Sequence, residues 1–273
     1  MALAGPFAAS GEVGGVAVKP DDARIVAWAS EVVNYAPGPG VSERWQMSGQ
    51  ALGVAEGTPF EVVSLGRGGS ITLGFAEPIE DGEGADFAVF ENSFSATFLE
   101  LAFVEVSVDG VEFVRFPSAS LTTEAAAADG EVDATDVDGL AGKDEGGFGT
   151  PFDLATVGLS QVRFVRLIDI VGGMATDSMG RVIWDPFPTN ISAGFDADGV
   201  AVLGARARPS VRLKVVEGKG ALRWMGAMER SYKVEENLGL SGTWREIGSV
   251  MGTGGMVEFE LGTLVGSGFY RVR

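Results

Sequence analysis

The chain has 273 residues, a net charge of −18 and 45% apolar residues, enough to build the core of one large domain or of two ordinary ones. It contains neither cysteine nor histidine, which excludes disulfides, Cys/His zinc sites, thiol nucleophiles and catalytic arrangements that need histidine. Any catalysis would therefore depend on carboxylate, lysine or tyrosine side chains.

The negative charge is concentrated in the first part of the chain. Residues 209–273 carry nine basic and seven acidic residues, whereas residues 1–208 carry 11 basic and 31 acidic residues, including every aspartate. Such a field attracts cations and repels nucleic acid and anionic membrane surfaces, so we expect neither as a partner. A run of small and basic residues around Pro209 predicts a boundary between a domain at 1–207 and a second domain at 208–273.

One helix is predicted near the beginning of the chain. Asp21 suits the N-cap position, apolar residues recur at helical spacing between residues 25 and 33, and prolines and glycines at 37–40 would end the segment. Trp28 lies within this helix and is expected to pack against the core.

The later segments have the pattern of β-strands. They are short, rich in valine, isoleucine and phenylalanine, and separated by glycine-rich turns, at residues 60–65, 70–75, 86–91, 102–109, 161–170 and 199–204. This favours an all-β antiparallel sandwich or jelly roll. Six or seven further strands in residues 208–273 predict a small sandwich of immunoglobulin or fibronectin type III character, with Trp224 and Trp244 in its core.

Two motifs resemble known ligand loops but lack essential parts. The glycine-rich stretch at 64–75 is followed by a strand and contains no lysine, so it predicts a hairpin turn at 66–69 and not a phosphate loop. The acidic stretch 133–145 places Asp136 and Asp138 at EF-hand positions, but the first ligand position is Ala134 and the flanks lack helical periodicity. A calcium loop of another kind remains open there, because closely spaced aspartates supply oxygen ligands.

Asp196 and Asp198 lie on one side of an extended chain at the entrance of a predicted buried strand. Two interpretations remain open for them: they bind a metal ion, or their carboxylates cap nearby backbone amides. A third possibility is carboxylate catalysis, as in a glycoside hydrolase with two acids across a cleft. Glu91, Glu100 and Asp185 are the candidates for that chemistry.

The stretch 180–190 is the best local candidate for ligand contact. Trp184 and Phe187 flank Asp185 on a predicted loop, and an aromatic ring beside a carboxylate is suited to stacking and hydrogen bonding of a sugar. Trp45 is a second candidate of the same kind. For both tryptophans the alternative is packing beneath a loop.

Several segments together resemble a known family. They are VVSLGRGGSITLGFAEPIEDGEGADFAVFENSF, EVSVDGVEFVRFPS, GLAGKDEGGFGTPFDLA, FVRLIDIVG and GFDADGVAVLG, spanning about residues 13–204. In this order they resemble bacterial secreted or cell-surface proteins that often carry C-terminal sorting signals and look like distant relatives of the galactose-binding, discoidin-like jelly rolls. The segments RSYKVEENLGLSGTWREIGSVMGTGGMVEFE and FYRVR resemble a small C-terminal module of secreted proteins from Verrucomicrobia-like bacteria.

The resemblance implies a structural calcium ion among loops at an edge of the sandwich and a ligand site at one end. The segments of this chain that match would contribute oxygen ligands from Glu91, Asn92, Asp136, Asp138, Asp153, Asp196 and Asp198.

The resulting expectation is a non-catalytic, secreted or cell-surface bacterial protein that is stabilised by calcium and binds carbohydrate or another surface ligand. No apolar run is long enough to span a membrane and the N-terminal segment lacks a signal peptide pattern, so we expect no direct membrane insertion. The alternatives are a self-associating component of the cell envelope and a carboxylate-dependent glycoside hydrolase.

Overall fold

The computed structural model describes residues 5–11, 17–58, 60–128, 130–204, 211–216, 218–226, 231–238, 244–263 and 268–272. The chain divides into two compact units, residues 1–206 and 207–273, whereas the sequence pattern placed the boundary after residue 207. We call them unit 1 and unit 2.

Unit 1 consists of antiparallel strands. They are β1 (Ile25–Trp28), β2 (Glu31–Ala36), β3 (Val63–Ser64), β4 (Ser70–Glu80), β5 (Phe87–Glu91), β6 (Ala102–Ser107), β7 (Val114–Arg115), β8 (Ala119–Ser120), β9 (Val137–Asp138), β10 (Gly149–Phe152), β11 (Gln161–Asp169) and β12 (Asp196–Leu203). Helical structure in the described residues is limited to single 3-10 turns at Glu43–Trp45, Ser48–Ala51, Ala134–Asp136 and Leu154–Val157. The expectation of an all-β protein is thus confirmed.

The strands form two five-stranded sheets with a shared core. Sheet 1 has the order β1-β12-β5-β10, with β3 on β12, and sheet 2 has the order β2-β4-β11-β6-β7. Strands β8 and β9 form a separate ribbon. Phe87 and Val200 of sheet 1 belong to the same buried cluster as Leu73, Val104 and Val165 of sheet 2. The two inner faces therefore form one hydrophobic core, as in a β-sandwich.

The helix predicted near the beginning of the chain is wrong. Residues 25–28 form β1 in sheet 1, and residues 31–36 form β2 in sheet 2. The apolar residues at helical spacing are mostly β-branched, and such side chains fit a pleated surface better than a helix. Trp28 does pack against buried residues, in a second cluster separate from the shared core, with its ring 5.2 Å from the ring of Phe90 of the same sheet.

Several strands of both sheets begin or end at the same end of the sandwich. Residue 91, the last of β5, pairs with residue 197 near the start of β12, and residue 169, the last of β11, pairs with residue 102 at the start of β6. The amide of Phe195 donates to Asp169 (2.7 Å), which joins the start of β12 to the end of β11. The side chains at these strand ends are thereby gathered in one place.

The described residues of unit 2 form six strands. They are β13 (Arg212–Val216), β14 (Lys219–Met225), β15 (Ser231–Leu238), β16 (Arg245–Met251), β17 (Met256–Thr263) and β18 (Gly268–Val272), in the sheet orders β13-β14-β17 and β16-β15-β18. Trp224 is buried against Tyr232, as expected of a core residue. Trp244 is only partly buried and lies under the guanidinium of Arg271, 4.2 Å from its ring centroid.

Among the described residues, no helix is long and apolar enough to cross a membrane.

Candidate functional site

Five carboxylates are buried at the end of unit 1 where the strand ends meet. Glu91 ends β5, Asp196 begins β12, Asp169 ends β11, Glu100 precedes β6, and Asp185 lies in the segment before β12. Each has at most 4% of its surface exposed. We call these five residues the carboxylate cluster.

Burial raises the pKa of both glutamates in the cluster well above its usual range. For Glu91 the charge of Asp196 adds to the burial effect, while the amide of Ser93, which donates to Oε2 (2.7 Å), opposes it. For Glu100 the charges of Asp196 and Glu91 add to burial, and a hydrogen bond from Thr189 opposes both. The electrostatic coupling places Glu91, Glu100 and Asp196 near one another.

The three aspartates behave in the same way. Burial raises the pKa of Asp169 to about 7, against two backbone amide hydrogen bonds. Burial also raises the pKa of Asp196 to about 7, with the charge of Asp169 adding to it and the hydroxyl of Ser64, which donates to Oδ1, opposing it. The pKa of Asp185 lies well above its usual range, through burial first and the charge of Asp169 second. The charged neighbours that raise these pKa values are themselves carboxylates, so the cluster concentrates negative charge.

One oxygen of the cluster, Oε1 of Glu100, is buried without a hydrogen-bond partner among the described residues. The amide nitrogen of Asn92, which follows Glu91, is a second such atom. The carboxylate of Asp185, in contrast, accepts from the backbone amides of Leu101 and Gly172. Buried polar atoms are nearly always paired, so the two unpaired atoms require an explanation. An amide oxygen and nitrogen exchange places by rotation of the group, so Asn92 also offers an oxygen. An unpaired oxygen beside concentrated negative charge fits a bound cation.

Asp198 has a different role from Asp196. Its two oxygens accept hydrogen bonds from the amides of Glu56 (3.1 Å) and Gly57 (2.8 Å) and thereby hold that loop against β12. Its charge contributes less than that of Asp196 to the raised pKa of Glu91. Of the two interpretations of this pair, amide capping describes Asp198, and Asp196 belongs to the carboxylate cluster.

A surface pocket of about 310 Å³ opens directly over Glu100. Its wall consists of Phe94, Phe98, Glu100, Ala128, Pro188, Thr189, Asn190 and Ser192. The rings of Phe94 and Phe98 are 6.3 Å apart and tilted by 43°, and Phe94 is 68% exposed. Ile191, between two wall residues, has φ 80°, a conformation that costs free energy for a β-branched residue. The pocket thus combines apolar rings, hydroxyl and amide groups, and one carboxylate of the cluster.

The residues predicted to contact a ligand lie at different places. Asp185 is buried within the carboxylate cluster. Trp184 is half-buried against Gly173, and Phe187 lies 5.6 Å from the guanidinium of Arg67. Trp45 stands apart from these three on a 3-10 turn, stacked on the exposed ring of Phe60 at 6.4 Å. The described pocket wall contains none of the four, although it includes Pro188, Thr189 and Asn190 of the same loop as Phe187.

The predicted metal ligands are also divided. Glu91 and Asp196 belong to the carboxylate cluster and Asn92 adjoins it. Asp136 lies in a 3-10 turn and Asp138 in β9, where Asp138 is exposed and 3.8 Å from Lys143. Asp153 caps the 3-10 turn that follows it by accepting from Ala155 (2.9 Å). The acidic loop and the strand entrance are therefore separate features of the fold.

Asp153 belongs to a second acidic group with Asp81 and Asp86. Within the part of the chain that the structure describes, these are the three acidic side chains whose oxygens all lie within 4.8 Å of one another. Asp86 accepts from the amides of Gly82 (2.7 Å) and Leu154 (2.8 Å), so its oxygens already cap the chain. The carboxylate cluster is more widely spaced, and an ion there would also need carbonyl or hydroxyl oxygens, which calcium accepts.

Sequence reasoning did not assign Glu100 or Asp169 to a metal site. Glu100 appeared only as a catalytic candidate, and Asp169 not at all. The sequence feature that could have indicated a buried Glu100 is its position between Leu99 and Leu101. An acid between two core residues at the entrance of a strand is expected to be buried with them. Phe94 and Phe98 of the pocket were also missed, since neither belongs to a strand with an alternating pattern.

Hydrolysis of a glycoside by two carboxylates fits the pocket poorly. That chemistry needs two acids that flank one bond of the substrate, and Glu100 is the acid among the described residues of the wall. The donor set of carboxylate, amide and hydroxyl oxygens instead suits a hard divalent cation such as calcium.

No family model matches the chain, and no curated protein matches it.

Proposed function

We propose that unit 1 is a calcium-stabilised, non-catalytic binding domain of a secreted or cell-surface bacterial protein, and that its pocket binds carbohydrate. The observation that carries the proposal is the double position of Glu100, which belongs to the carboxylate cluster and also to the pocket wall. A cation bound to the cluster would neutralise its charge and fix the wall of the pocket.

Glu91, Glu100 and Asp196 are the residues that would hold the cation, with Asp185 and the amide of Asn92 as further ligands. Several buried carboxylates that form no ion pair with any described residue cost free energy in the ionised state, so they persist in a fold when something else neutralises them. The acidic field of residues 1–208 raises the local concentration of cations around this site.

The finer architecture belongs to the same proposal. The two five-stranded sheets and the resemblance of residues 13–204 support a jelly roll of the galactose-binding type. The six strands of unit 2 support a fibronectin type III-like module that acts as a spacer or docking domain. Extracellular placement is supported by the resemblance alone.

Binding of the full chain to a glycan array, with calcium and with chelator, tests the proposal. We expect binding to defined glycans in calcium, its loss in chelator, and its loss in Phe94→Ala. Val111→Ala is the matched control, because Val111 is 76% exposed and lies outside the pocket wall. Glycan binding that is unchanged by chelator and by Phe94→Ala would contradict the proposal.

The self-associating envelope component is tested by sedimentation of the same protein. Assembly that increases with concentration, together with an empty glycan array, would favour that alternative. Release of reducing sugar from polysaccharides, abolished in Glu100→Gln, would favour the hydrolase.

A further inference from the structure

Glu100 belongs both to the carboxylate cluster and to the wall of the pocket. Its carboxylate accepts a hydrogen bond from Thr189, which is also a wall residue, while Oε1 has no partner. This buried oxygen points to a ligand independently of the number of acidic residues gathered there, because buried polar atoms are nearly always paired.

A cation bound to Glu100 would face the pocket on its other side. Protein oxygens would fill part of the coordination shell, since calcium takes six to eight of them. The remaining positions would be open to the contents of the pocket, which are water or oxygen atoms of a ligand.

The other walls of the pocket suit a sugar ring. Phe94 and Phe98 offer ring faces on which the apolar face of a pyranose packs. Thr189, Asn190 and Ser192 bring hydroxyl and amide groups. Arg67 donates to the carbonyl of Thr189 (3.0 Å) and to Oδ1 of Asn190 (2.7 Å), which holds this side of the pocket in place before a ligand arrives.

Size and charge narrow the class of sugar. A volume of about 310 Å³ lies at the lower end of the range of ligand pockets, so it fits one sugar residue or a chain end. The excess of acidic over basic residues in residues 1–208 disfavours uronic acids and other anionic sugars.

We infer that the pocket binds a neutral pyranose, that two adjacent hydroxyls of this sugar coordinate the cation held by Glu100, and that its ring packs on Phe94 and Phe98. This inference rests on the proposed function and adds the direct bond between ligand and ion. In the alternative, the ion shapes the pocket from behind and does not touch the ligand.

Terbium luminescence separates the two arrangements. Tb³⁺ binds the same oxygen ligands as calcium, and its lifetimes in H₂O and D₂O report the number of water molecules on the ion. The full chain is loaded with Tb³⁺ and titrated with methyl glycosides of galactose, mannose, glucose, fucose, rhamnose and N-acetylglucosamine. We expect at least one glycoside to displace about two water molecules from the ion.

Two variants assign the effect to the pocket. Phe94→Ala should weaken the binding of that glycoside about tenfold and leave Tb³⁺ binding unchanged. Glu100→Gln should weaken Tb³⁺ binding, whereas Asp138→Asn, which removes the same charge from an exposed position, should not.

The possible results separate a failure of this inference from a failure of the proposed function. Failure of Tb³⁺ to bind, or binding unaffected by Glu100→Gln, would overturn the metal site and therefore both. A glycoside that binds without displacing water would overturn the inference alone and make the ion structural. The inference is also overturned if Tb³⁺ binds and none of the six glycosides binds.

Discussion

Replacing Glu100 with glutamine should remove most of the stabilisation that calcium gives to unit 1. The substitution keeps the size of the side chain and removes its charge, so it tests the ligand and not the packing. In the chelated protein we expect equal or higher stability than in the wild type, because repulsion by the charges of Asp196 and Glu91 is gone.

The size of the effect follows from mass action and from the size of the unit. Calcium at about 100 times its dissociation constant adds about 2.7 kcal/mol to the free energy of unfolding. For a unit of 206 residues this corresponds to a rise in Tm of about 5–11 °C. If Glu100→Gln weakens binding about 100-fold, the same calcium concentration adds about 0.4 kcal/mol, or about 1–2 °C.

The assay is differential scanning calorimetry of the full chain at about pH 8, in calcium, in magnesium and in chelator. Unit 2 contains no aspartate and belongs to the weakly charged part of the chain, so its transition should not respond to calcium. Asp138→Asn is the control, with an exposed side chain and the same change in charge. It should retain the full calcium effect.

An equal calcium effect in the wild type and in Glu100→Gln would refute the reasoning. A calcium effect lost in Asp138→Asn instead would move the metal site to the acidic loop. Identical Tm values of the wild-type protein in calcium and in chelator would show that calcium does not stabilise the fold.

In chelator, the free energy of unfolding of unit 1 should fall as the pH rises. The pKa values of Asp169 and Asp196 are about 7 in the fold, so the protonated acids stabilise it fully below about pH 4 and this contribution is lost as the pH passes 7. Urea midpoints measured from about pH 5 to about pH 8 check this, and Asp196→Asn should flatten the slope. Gly173→Ala should destabilise unit 1 by about 1–3 kcal/mol, because the new Cβ lies 2.4 Å from the ring of Trp184 at φ 81°. A shift in Trp184 fluorescence, absent when Trp184→Phe is added, identifies the contact; an unchanged Tm would count against it. Asp177 accepts hydrogen bonds from three backbone amides, so Asp177→Ala should cost about 1–3 kcal/mol. The pKa of Asp177 is held at about 2 by these bonds and by the hydrogen bond from the Arg181 guanidinium, against the cost of burial, so its contribution should disappear as the pH falls from about 4 towards 2. If chemical denaturation shows that the free energies of unfolding of the wild type and of Asp177→Ala fall in parallel with decreasing pH, the ionised Asp177 does not stabilise the fold.

The all-β class and most strands could be predicted because they depend on local alternation and on glycine turns. Six or seven strands were predicted for unit 2, and its described residues form β13–β18. The helix prediction for residues 25–36 was wrong because β-branched residues at a chance spacing of three and four gave the pattern of a helix. Their actual role is set by pairing with β12 and β4, which lie far away in the sequence.

The candidate site could be predicted only in part, for a similar reason. Glu91 and Asp196 each stand at the end of an apolar strand, which local sequence reveals. Their proximity depends on the register of β5 and β12, where residue 91 pairs with residue 197, and a single sequence does not encode that register visibly. Asp136 and Asp138 were predicted as ligands from their spacing alone, but they lie in a 3-10 turn and in β9, outside the carboxylate cluster.

Asp169 receives amide hydrogens from both sides of the sandwich. Gly68, beside β4 of sheet 2, donates to one oxygen (2.8 Å), and Phe195, at the entrance of β12 in sheet 1, donates to the other (2.7 Å). The two sheets cannot separate at this end without leaving this carboxylate and both amides unpaired. Exchange of these two amide hydrogens with deuterium should therefore require the sheets to part and be slow for both. The rate would report, from the apo protein alone, how firmly the end that carries the carboxylate cluster is closed.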